Sequence, residues 1–322
     1  MSHSELDTVY LPIKTELDAV YSTMKRALSD TDVGDIQDIV THLMSSPGKQ
    51  VRAAICLLSY HTLNGTNSPA TTDIIILAAV IELIHLASLI HDDIIDDATT
   101  RRKIASVNAK FGSNSAIVVG VYVYAVALTL LSEIGRHDIL KIISSTVKTL
   151  CEGELLQTVD IDTLTVDHYL AMIRCKTGIL FESAAMCAAL LADPNPPQVQ
   201  NITQFGLNLG YIFQITDDYL DLFGSTESLG KEPGQDIVTG KITLPYIHLW
   251  HYLTEEEKKQ LPNIRSLDQL KPILNMSRIH DVKQETERSL NGFIYDAKQQ
   301  LTVLEASEHR GSLLKILDIV SE

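Results

Sequence analysis

Apolar residues recur at helical spacing along almost the whole chain, and alternating strand patterns are scarce. Breaks rich in Pro, Gly and Asn interrupt this pattern at residues 46–48, 64–69, 193–197 and 262–263. The segments between them predict helices near residues 5–29, 33–45, 49–63, 71–97, 104–110, 114–133, 136–158, 166–191, 197–223, 241–252, 267–275, 279–301 and 310–320. Because no shift in composition marks a boundary, we predict an all-α fold, a single domain of residues 1–322 with a helical bundle at its core.

One segment, residues 111–132, carries no charged side chain and is long enough to span a bilayer. Polar residues and glycines stand near its start, and its flanks show no basic asymmetry. We predict a buried core helix here, with a membrane segment as the alternative. The four cysteines lie in apolar stretches without C-x-x-C spacing, which predicts buried thiols in a reducing cytoplasm, and the polar start predicts no signal peptide.

The chain has 26 basic and 41 acidic residues, which gives a formal net charge of −15. This acidic excess argues against nucleic acid or an anionic membrane surface as the main partner. An acidic protein still binds an anionic substrate where metal ions and a few placed Arg and Lys side chains reverse the local field.

Two short carboxylate clusters share the spacing D-D-x-x-D within apolar, helical sequence. They are Asp92, Asp93 and Asp96, and Asp217, Asp218 and Asp221. A helix turns by about 100° per residue, so positions i, i+1 and i+4 project into one sector. Three crowded carboxylates repel one another and resist burial unless cations lie between them. Because Mg²⁺ prefers hard oxygen ligands and commonly bridges carboxylates to phosphate, the clusters predict a pocket that holds a diphosphate through metal ions.

Basic residues near the clusters form a second feature. Lys49 and Arg52 follow a Pro-Gly break, which predicts that both lie in the first turns of a helix, where backbone N–H groups and cations attract phosphate. Arg101, Arg102 and Lys103 follow the first carboxylate cluster. Each basic group alone is typical of a solubilising patch, but beside a metal–diphosphate pocket it predicts phosphate binding.

The segment Phe223–Lys241 differs from the rest of the chain because it holds four of the 16 glycines. It directly follows the second carboxylate cluster and contains Lys231 and Lys241. Two interpretations stay open, a flexible surface loop and a lid whose lysines close on bound phosphate.

Together these residues resemble the trans-type isoprenyl diphosphate synthases of the polyprenyl synthetase family, over nearly the whole chain. The ordered motifs are GKQVR at 48–52, ELIHLASLIHDDIIDDATTRR at 82–102, GELLQ at 153–157, KTGILF at 176–181, FQITDDYLDLFG at 213–224 and GKEPGQDIVTGKITLP at 230–245. The resemblance implies the isoprenoid-synthase fold, a single large helical bundle with a central active-site cavity. It also implies head-to-tail condensation of isopentenyl diphosphate with an allylic diphosphate, in which the allylic C–O bond ionises before the new bond forms.

The resemblance further implies a role for each matching residue. The expected metal ligands are Asp92, Asp93, Asp96, Asp217, Asp218 and Asp221. The expected isopentenyl diphosphate ligands are Lys49, Arg52, His85 and Arg102. The expected allylic diphosphate ligands are Arg101, Lys176, Thr177, Gln214, Lys231 and Lys241. The expected catalytic set is Asp92, Asp93, Asp96, Asp217, Asp218, Lys176 and Lys241. The cofactor implied is Mg²⁺, with three ions per site and Mn²⁺ as a substitute.

Three residues before the first cluster bear on product length. They are Ile84, Ala87 and Ser88. In this family, bulky aromatic side chains at the positions of Ala87 and Ser88 close the pocket, whereas both are small here. We therefore predict a product longer than farnesyl diphosphate, a medium- to long-chain polyprenyl diphosphate, with geranylgeranyl diphosphate as the main alternative. Ile84 is expected to set a floor deeper in the pocket.

The chain also departs from the family pattern. Pro47, Ala53, Lys103 and Ala105 stand where the family usually has Gly, Pro, Gly and Pro, and Val121 stands where Asp is common. None of these changes removes an expected metal or diphosphate ligand. They bear on how isopentenyl diphosphate is bound and on whether the chain acts alone.

Partners and alternative functions follow from the same resemblance. A cytoplasmic homodimer without a membrane span is expected, with peripheral membrane contact for product release. One alternative is the catalytic large subunit of a heteromeric heptaprenyl-type synthase. Another, from a different class, is a non-catalytic regulatory subunit, although intact carboxylates in both clusters argue against it. A terpene cyclase shares one Asp-rich motif, but its second metal site normally mixes Asn, Ser or Thr with Glu.

Overall fold

A computed structural model describes residues 3–65, 69–156, 165–224, 233–274 and 276–321. Helices dominate these residues, and the all-α prediction is confirmed. The helices are α1 (His3–Val9), α2 (Lys14–Leu28), α3 (Gly34–Met44), α4 (Val51–Asn64), α5 (Thr72–Ile95), α6 (Val107–Phe111), α7 (Ser113–Glu133), α8 (His137–Leu156), α9 (Val166–Ile173), α10 (Ile179–Ala192), α11 (Pro196–Phe223), α12 (Gln235–Val238), α13 (Leu244–His251), α14 (Glu255–Gln260), α15 (Leu267–Leu270), α16 (Met276–Thr302) and α17 (Glu308–Val320).

The long helices α5 and α11 carry the two carboxylate clusters. Each begins with a capping side chain: Thr71 accepts from the backbone N–H of Ile74, and Asn195 forms a capping box with Gln198. Helix α5 packs against α4 and α7, α10 packs against α4 and α11, and α11 packs against α16. Apolar side chains from these helices form one continuous buried core. The clusters therefore lie on helices that pack against neighbours on more than one side. The assignment of residues 1–322 to a single domain stays a prediction.

A second, smaller group of buried apolar residues lies in the C-terminal part of the chain. It joins α12 to α16 and includes Ile237, Leu249 and Leu270. Leu222 and Phe223, at the end of α11, pack against it. This group supports the end of the helix from which the second carboxylate cluster projects.

The predicted helix over residues 166–191 contains one irregular turn. Residues 174–178 form a π-helical turn between α9 and α10. A Cβ added to Gly153 of α8 would lie 2.7 Å from the Lys176 backbone nitrogen, and one added to Gly210 of α11 would lie 2.5 Å from Gly178 Cα. The turn therefore fits between two helix backbones that approach closely because both carry glycine there. Such π bulges are frequent at functional sites, and this one fixes where Lys176 and Thr177 project.

The predicted helix over residues 104–110 is wrong at its start. Two short antiparallel strands replace its first turn: β1 (Thr100–Arg101) and β2 (Ile104–Ala105). The turn residues Arg102 and Lys103 have φ values of 52° and 68°, which a two-residue hairpin of this hand requires at both positions. Helix α6 begins only after Ser106, whose side chain caps it.

Helix α4 begins later than predicted. Gln50 has a φ of 50°, a left-handed conformation that is incompatible with continuing a helix towards the N-terminus. The helix therefore starts at Val51. The prediction that Lys49 lies in the first turns of a helix is wrong, whereas Arg52 does lie there.

Other helix boundaries differ for local reasons. The predicted helix 5–29 is interrupted by a 3₁₀ turn at Leu11–Ile13, where proline lacks a backbone N–H. Helix α14 was not predicted, although Thr254 and Glu257 form a capping box at its start. Three predicted helices are also shorter in the structure, since α5 ends at Ile95, α13 begins at Leu244 and α15 ends at Leu270.

Three described helical stretches are long and apolar enough to cross a membrane, judged by length and composition: Thr72–Ile95, Ser113–Glu133 and Val166–Ala192. In the bundle, 67% of the most apolar window of α5 is buried, against 39% of that of α7. One face of α7 packs on α5, and the other exposes Ile117, Val118, Val121 and Leu128. The prediction of a buried core helix over residues 111–132 is thus correct for one face of α7 only.

Candidate active site

The first carboxylate cluster lies at the C-terminal end of α5. Asp92 and Asp93 belong to the last turn, and Asp96 follows it as the cap residue. Asp93 is buried, and its Oδ1 accepts a hydrogen bond from Arg101 Nε at 2.9 Å. Burial and the neighbouring Glu154 carboxylate raise the pKa of Asp92 to about 6. The raised pKa means that too few cations and hydrogen-bond donors of the protein surround Asp92 to stabilise its ionised form. A bound cation would supply the missing positive charge.

The second cluster lies near the C-terminal end of α11, and its two adjacent aspartates differ in burial. Asp217 is exposed, whereas Asp218 is buried. Asp218 Oδ2 accepts from Tyr169 Oη at 2.6 Å, and its Oδ1 accepts from Gln214 Nε2 at 2.9 Å. Gln214 is oriented in turn by Thr177, whose Oγ1 donates to Gln214 Oε1 at 2.8 Å. Burial raises the pKa of Asp218 to about 7, because ionisation is costly in this environment. The hydrogen bonds from Tyr169 and Gln214 stabilise the ionised form and partly offset this effect.

Two lysines connect the clusters. Lys241 Nζ lies 3.3 Å from Asp96 Oδ2, and Lys176 Nζ lies 2.8 Å from Glu154 Oε2. Both lysines line a cavity with Asp217, Asp218 and Gln214. Lys241 thus lines the cavity of the second cluster and also contacts Asp96, so the carboxylates of α5 and α11 lie on either side of this lysine.

The oxygen donors around this cavity suit a hard divalent cation. Asp92, Asp96 and Asp217 are not buried, whereas Asp93 and Asp218 are buried and accept hydrogen bonds from protein donors. No group of three or more His, Cys, Asp or Glu within the described ranges encloses a metal position by itself. Mg²⁺ usually keeps several waters and is shared between one or two carboxylates and substrate phosphates. The residues present therefore fit Mg²⁺ held jointly with a phosphate better than a metal in an all-protein cage.

A second cavity, of about 630 Å³, lies at the N-terminal end of α4. Lys49, Arg52, His85 and Arg102 all line it, so the structure brings together the four residues predicted to bind isopentenyl diphosphate. Arg52 Nη1 donates to His85 Nε2 at 3.1 Å, and the guanidinium carbon lies 4.5 Å from the centroid of the Phe181 ring. Burial and the charge of Arg52 lower the pKa of His85 well below its usual value, so the imidazole is neutral and accepts this bond.

Donors outnumber acceptors around this second cavity. Arg52 Nε and Gln50 Nε2 are buried and make no hydrogen bond within the described part of the chain. The one carboxylate in the lining, Glu82, accepts from the backbone N–H of Ala53 at 2.9 Å, a donor that a proline at that position would lack. Because an unmade bond at a buried polar group costs about 1–3 kcal/mol, the cavity favours an anionic ligand that accepts several hydrogen bonds.

Residues 223–224 and 233–241 of the predicted loop or lid segment are described, and Lys231 lies outside the described residues. Asp221, the last carboxylate of the second cluster, accepts from the backbone N–H of Asp236 at 3.0 Å through Oδ2. The backbone N–H of Lys241 donates to the Asp236 carbonyl at 2.8 Å. This part of the segment is therefore tied to the second cluster while the Lys241 side chain reaches the first, an arrangement that favours the lid interpretation.

The residues predicted to set product length differ in their surroundings. Ile84 and Ala87 are buried in the packed core, whereas Ser88 is partly exposed and its Oγ donates to the His85 carbonyl at 2.9 Å. Ser88 lies one turn before Asp92 on α5. Of the three, Ser88 is thus the residue whose enlargement would fill accessible space beside the first cluster.

Comparison with known proteins identifies the family. The Polyprenyl synthetase family model matches residues 34–275. The chain belongs to this family. This polyprenyl synthetase is 34% identical to octaprenyl diphosphate synthase of Escherichia coli (strain K12) over 234 residues, which are 72% of this chain and 71% of that protein.

Two solved structures extend the likeness to nearly the full length. A decaprenyl diphosphate synthase from Rhodobacter capsulatus has a TM-score of 0.90 at 28% identity, with 98% of each chain covered. A polyprenyl synthase from Caulobacter crescentus, complexed with calcium and isoprenyl diphosphate, has a TM-score of 0.88 at 27% identity and the same coverage. The chain is therefore a prenyltransferase with the isoprenoid-synthase fold, and members of its family depend on Mg²⁺.

Sequence reasoning missed two residues, Tyr169 and Glu154, that contact the lining of the first cavity through Asp218 and Lys176. Tyr169 precedes Lys176 by two helical turns, a spacing that put it on the same face and was a usable signal. Glu154 lies within a motif that was recognised but was assigned no role. Lys103 was predicted to bind phosphate only as a member of the basic group after the first cluster, and the structure places it in the lining of the second cavity.

Proposed function

We propose that this polyprenyl synthetase condenses isopentenyl diphosphate, head to tail and in trans configuration, with an allylic diphosphate in a Mg²⁺-dependent reaction. One observation carries the proposal: Asp217 and Asp218 line a cavity with Lys176 and Lys241, and Lys241 also contacts Asp96 of the first cluster. A second cavity beside it is lined by basic residues. Two neighbouring anion sites, of which one has metal ligands, match two diphosphate substrates.

The six carboxylates divide into two groups in this proposal. The direct ligands to Mg²⁺ are Asp92, Asp96 and Asp217. The other three predicted ligands accept hydrogen bonds from protein donors and position the first group: Asp93, Asp218 and Asp221. When bound, Mg²⁺ supplies the positive charge that stabilises the departing diphosphate. Three ions per site and replacement by Mn²⁺ stay predictions.

Cationic side chains assist the departure of the diphosphate from the allylic carbon. Lys176, Lys241 and Arg101 are each paired with a carboxylate in this structure, and the phosphate oxygens of the allylic substrate would take over these pairs. Thr177 and Gln214 complete the predicted ligand set in the described residues, and Lys231 stays a prediction.

The second cavity binds isopentenyl diphosphate through Lys49, Arg52, His85 and Arg102. The double bond of this substrate attacks the allylic carbocation, and the proton that is then lost goes to the released diphosphate. Phe213 lines the cavity and Phe181 packs on Arg52 behind it. These aromatic side chains exclude water that would quench the carbocation.

We infer a medium- to long-chain product, longer than farnesyl diphosphate. Support comes from the small side chain at Ser88 and from the likeness to an octaprenyl and a decaprenyl diphosphate synthase. Geranylgeranyl diphosphate is the alternative product.

The test is turnover of radiolabelled isopentenyl diphosphate with farnesyl diphosphate, with and without Mg²⁺. Chromatography of the dephosphorylated products against prenyl alcohol standards reports chain length. We expect Mg²⁺-dependent products longer than geranylgeraniol, which the Asp92→Asn variant does not form. A product that stops at geranylgeraniol would support the alternative, and no turnover with any allylic primer would favour a regulatory subunit.

We propose that the protein acts as a cytoplasmic homodimer through the exposed face of α7, and that products leave by peripheral contact with a membrane. The apolar residues on that face are Ile117, Val118, Val121 and Leu128. A heteromeric enzyme with a small partner subunit is the alternative. Activity of the purified chain without any partner would exclude a requirement for one.

A further inference from the structure

Lys103 occupies a backbone conformation that favours glycine. It is the second residue of the hairpin turn between β1 and β2 and has a φ of 68°, next to Arg102 with a φ of 52°. Asn, Asp and Gly dominate such turns because other side chains meet steric resistance at positive φ. Lys at this position therefore costs more conformational free energy than Gly would. A function of the lysine side chain would explain why this residue is present despite the cost.

The hairpin turn is held firmly against the loop that precedes α4. Arg102 Nη1 donates to the Ser46 carbonyl at 3.3 Å, and Ser46 Oγ donates to the Arg102 carbonyl at 3.3 Å. On the other strand, His42 Nε2 donates to the Ala105 carbonyl at 2.8 Å. The base of the Lys103 side chain thus has a fixed position relative to the second cavity.

Lys103 lines that cavity together with Lys49, Arg52 and Arg102. The residue is exposed, and its side chain makes no hydrogen bond or ion pair with the part of the chain that the structure describes. The one carboxylate in the lining, Glu82, is directed at the Ala53 backbone. The ammonium of Lys103 therefore stays available to a ligand, at the edge of a site already rich in donors.

We propose that Lys103 is an additional binding residue for isopentenyl diphosphate, whose phosphate oxygens accept hydrogen bonds from its ammonium. This inference rests on the proposed function and deepens it, because it assigns a contact that the family pattern, with glycine in this place, does not supply. The strain at the turn is tolerated because the charge strengthens substrate binding.

The test measures the dissociation constant of isopentenyl diphosphate by calorimetry at low and high salt, together with KM and kcat. The variants are Lys103→Gly, Lys103→Gln and Lys103→Arg, and the matched control is Lys141→Gln, which removes the same charge from an exposed position on α8. We expect the Gly and Gln variants to bind about threefold to tenfold more weakly, with smaller salt dependence and nearly unchanged kcat. The Arg variant keeps the charge and should bind as the parent protein does.

Stability separates this role from a structural one. Lys103→Gly relieves the positive-φ strain, so its melting temperature should equal or exceed that of the parent while its affinity falls. Parent-like affinity and salt dependence in both the Gly and Gln variants would overturn the inference while leaving the proposed function intact. If the parent protein neither binds nor converts isopentenyl diphosphate, the proposed function fails, and the inference fails with it.

Discussion

At the scale of single residues, two hydrogen-bond donors orient the buried carboxylate of Asp218 beside the proposed metal site. Tyr169 and Gln214 each donate to one of its oxygens, and burial still raises its pKa to about 7. Removing either donor would shift the balance further towards the protonated acid. The orientation of the exposed Asp217 beside it depends on the same short stretch of α11.

Replacing Tyr169 by Phe should lower activity without unfolding the protein. Loss of a partner that orients groups beside a metal typically costs about 10-fold to 100-fold in metal affinity or activity. We expect kcat to fall within this range and the Mg²⁺ concentration for half-maximal activity to rise. Tyr252→Phe is the matched control, since Tyr252 Oη donates to Glu285 Oε1 at 2.8 Å and the residue lines neither cavity. An unchanged Mg²⁺ requirement in Tyr169→Phe would contradict the positioning role.

Replacing Ser88 by Phe should shorten the product. The aromatic ring would occupy accessible space one turn before Asp92, where the small hydroxyl now bonds back to its own helix. Product analysis against prenyl alcohol standards measures the effect. Ser22→Phe, an exposed position on α2, should leave the product unchanged. Full-length product from Ser88→Phe would show that the growing chain runs elsewhere.

At the scale of helices, the apolar periodicity of the sequence predicted the helices that carry the site residues. It did not predict the irregular turns between and within these helices. Both carboxylate clusters were placed on the correct helices, because apolar positions at 3.6-residue spacing flank each cluster. The π turn at 174–178 escaped because its sequence, RCKTG, breaks no helical pattern on its own. Its cause lies in Gly153 and Gly210, which let other helices approach and are far away in sequence.

The hairpin and the start of α4 were missed for a related reason. Arg102, Lys103 and Gln50 adopt positive φ, although none is a residue type that signals this conformation. Tertiary contacts such as those of Ser46 with Arg102 stabilise these conformations, and a single sequence does not display them. The residues of both cavities could therefore be named from motifs, whereas their local geometry could not.

The close approach of α11 to the π turn should be sensitive to a single methyl group. In Gly210→Ala the new Cβ would lie 2.5 Å from Gly178 Cα, so the backbones must separate. Such overpacking costs about 1–3 kcal/mol and should also displace Lys176, raising KM for the allylic substrate. Gly292→Ala is the control, because nothing lies within 4 Å of that Cβ in α16 and alanine favours a helix by up to about 1 kcal/mol. Denaturant unfolding and steady-state kinetics measure both effects, and equal stability of the two variants would contradict the packing argument.

The contact between α4 and α17 should make stability depend on pH. His61 and His309 stack with ring centroids 4.7 Å apart, and His61 Nε2 lies 3.0 Å from both carboxylate oxygens of Glu16 on α2. Burial and His61 lower the pKa of His309. The unfolded chain therefore binds a proton at this position at higher pH than the folded protein does.

It follows that the free energy of unfolding falls as pH drops below about 6.5, by at most about 1.4 kcal/mol per pH unit for this group, and levels off below the folded pKa. Urea unfolding at about pH 7.5 and pH 5.5 measures the loss. His309→Phe should show a smaller loss than the parent, whereas His137→Phe, at an exposed position at the start of α8, should show the same loss. If His309→Phe loses as much stability as the parent, another group controls the transition.

At the scale of the whole molecule, the charge around the second cavity is opposite in sign to the net charge of the chain. The chain carries a net charge of −15, yet the second cavity is lined by four cationic side chains and one carboxylate. In the proposed function, binding of a diphosphate therefore depends on the local placement of cations by α4 and the hairpin, because the net charge of the chain as a whole repels anions. The overall composition argued against nucleic acid as the main partner but gave no sign of these local sites.

The exposed face of α7 should hold two copies of the chain together. Ile117, Val118, Val121 and Leu128 form one stripe along the helix, with exposed fractions between 47% and 61%. An apolar stripe of this kind, on a helix whose other face packs in the bundle, is typical of a surface that is buried by a partner. Val121 lies within the stripe, where the family often has a charged residue.

Val121→Glu should therefore dissociate the dimer. Burying an unpaired carboxylate in an apolar interface costs several kcal/mol, whereas on a solvent-facing helix the same change is nearly neutral. Sedimentation at micromolar concentration should show a dimer for the parent and a monomer for the variant. Val303→Glu introduces the same charge at a residue that is 66% exposed outside α7 and should remain dimeric. A monomeric parent, or a Val121→Glu variant that stays dimeric, would mean that the stripe does not form the interface. Helix α7 also packs on α5, which carries Asp92. If Val121→Glu is monomeric and has a lower kcat but an unchanged melting temperature, the dimer interface supports the first cluster.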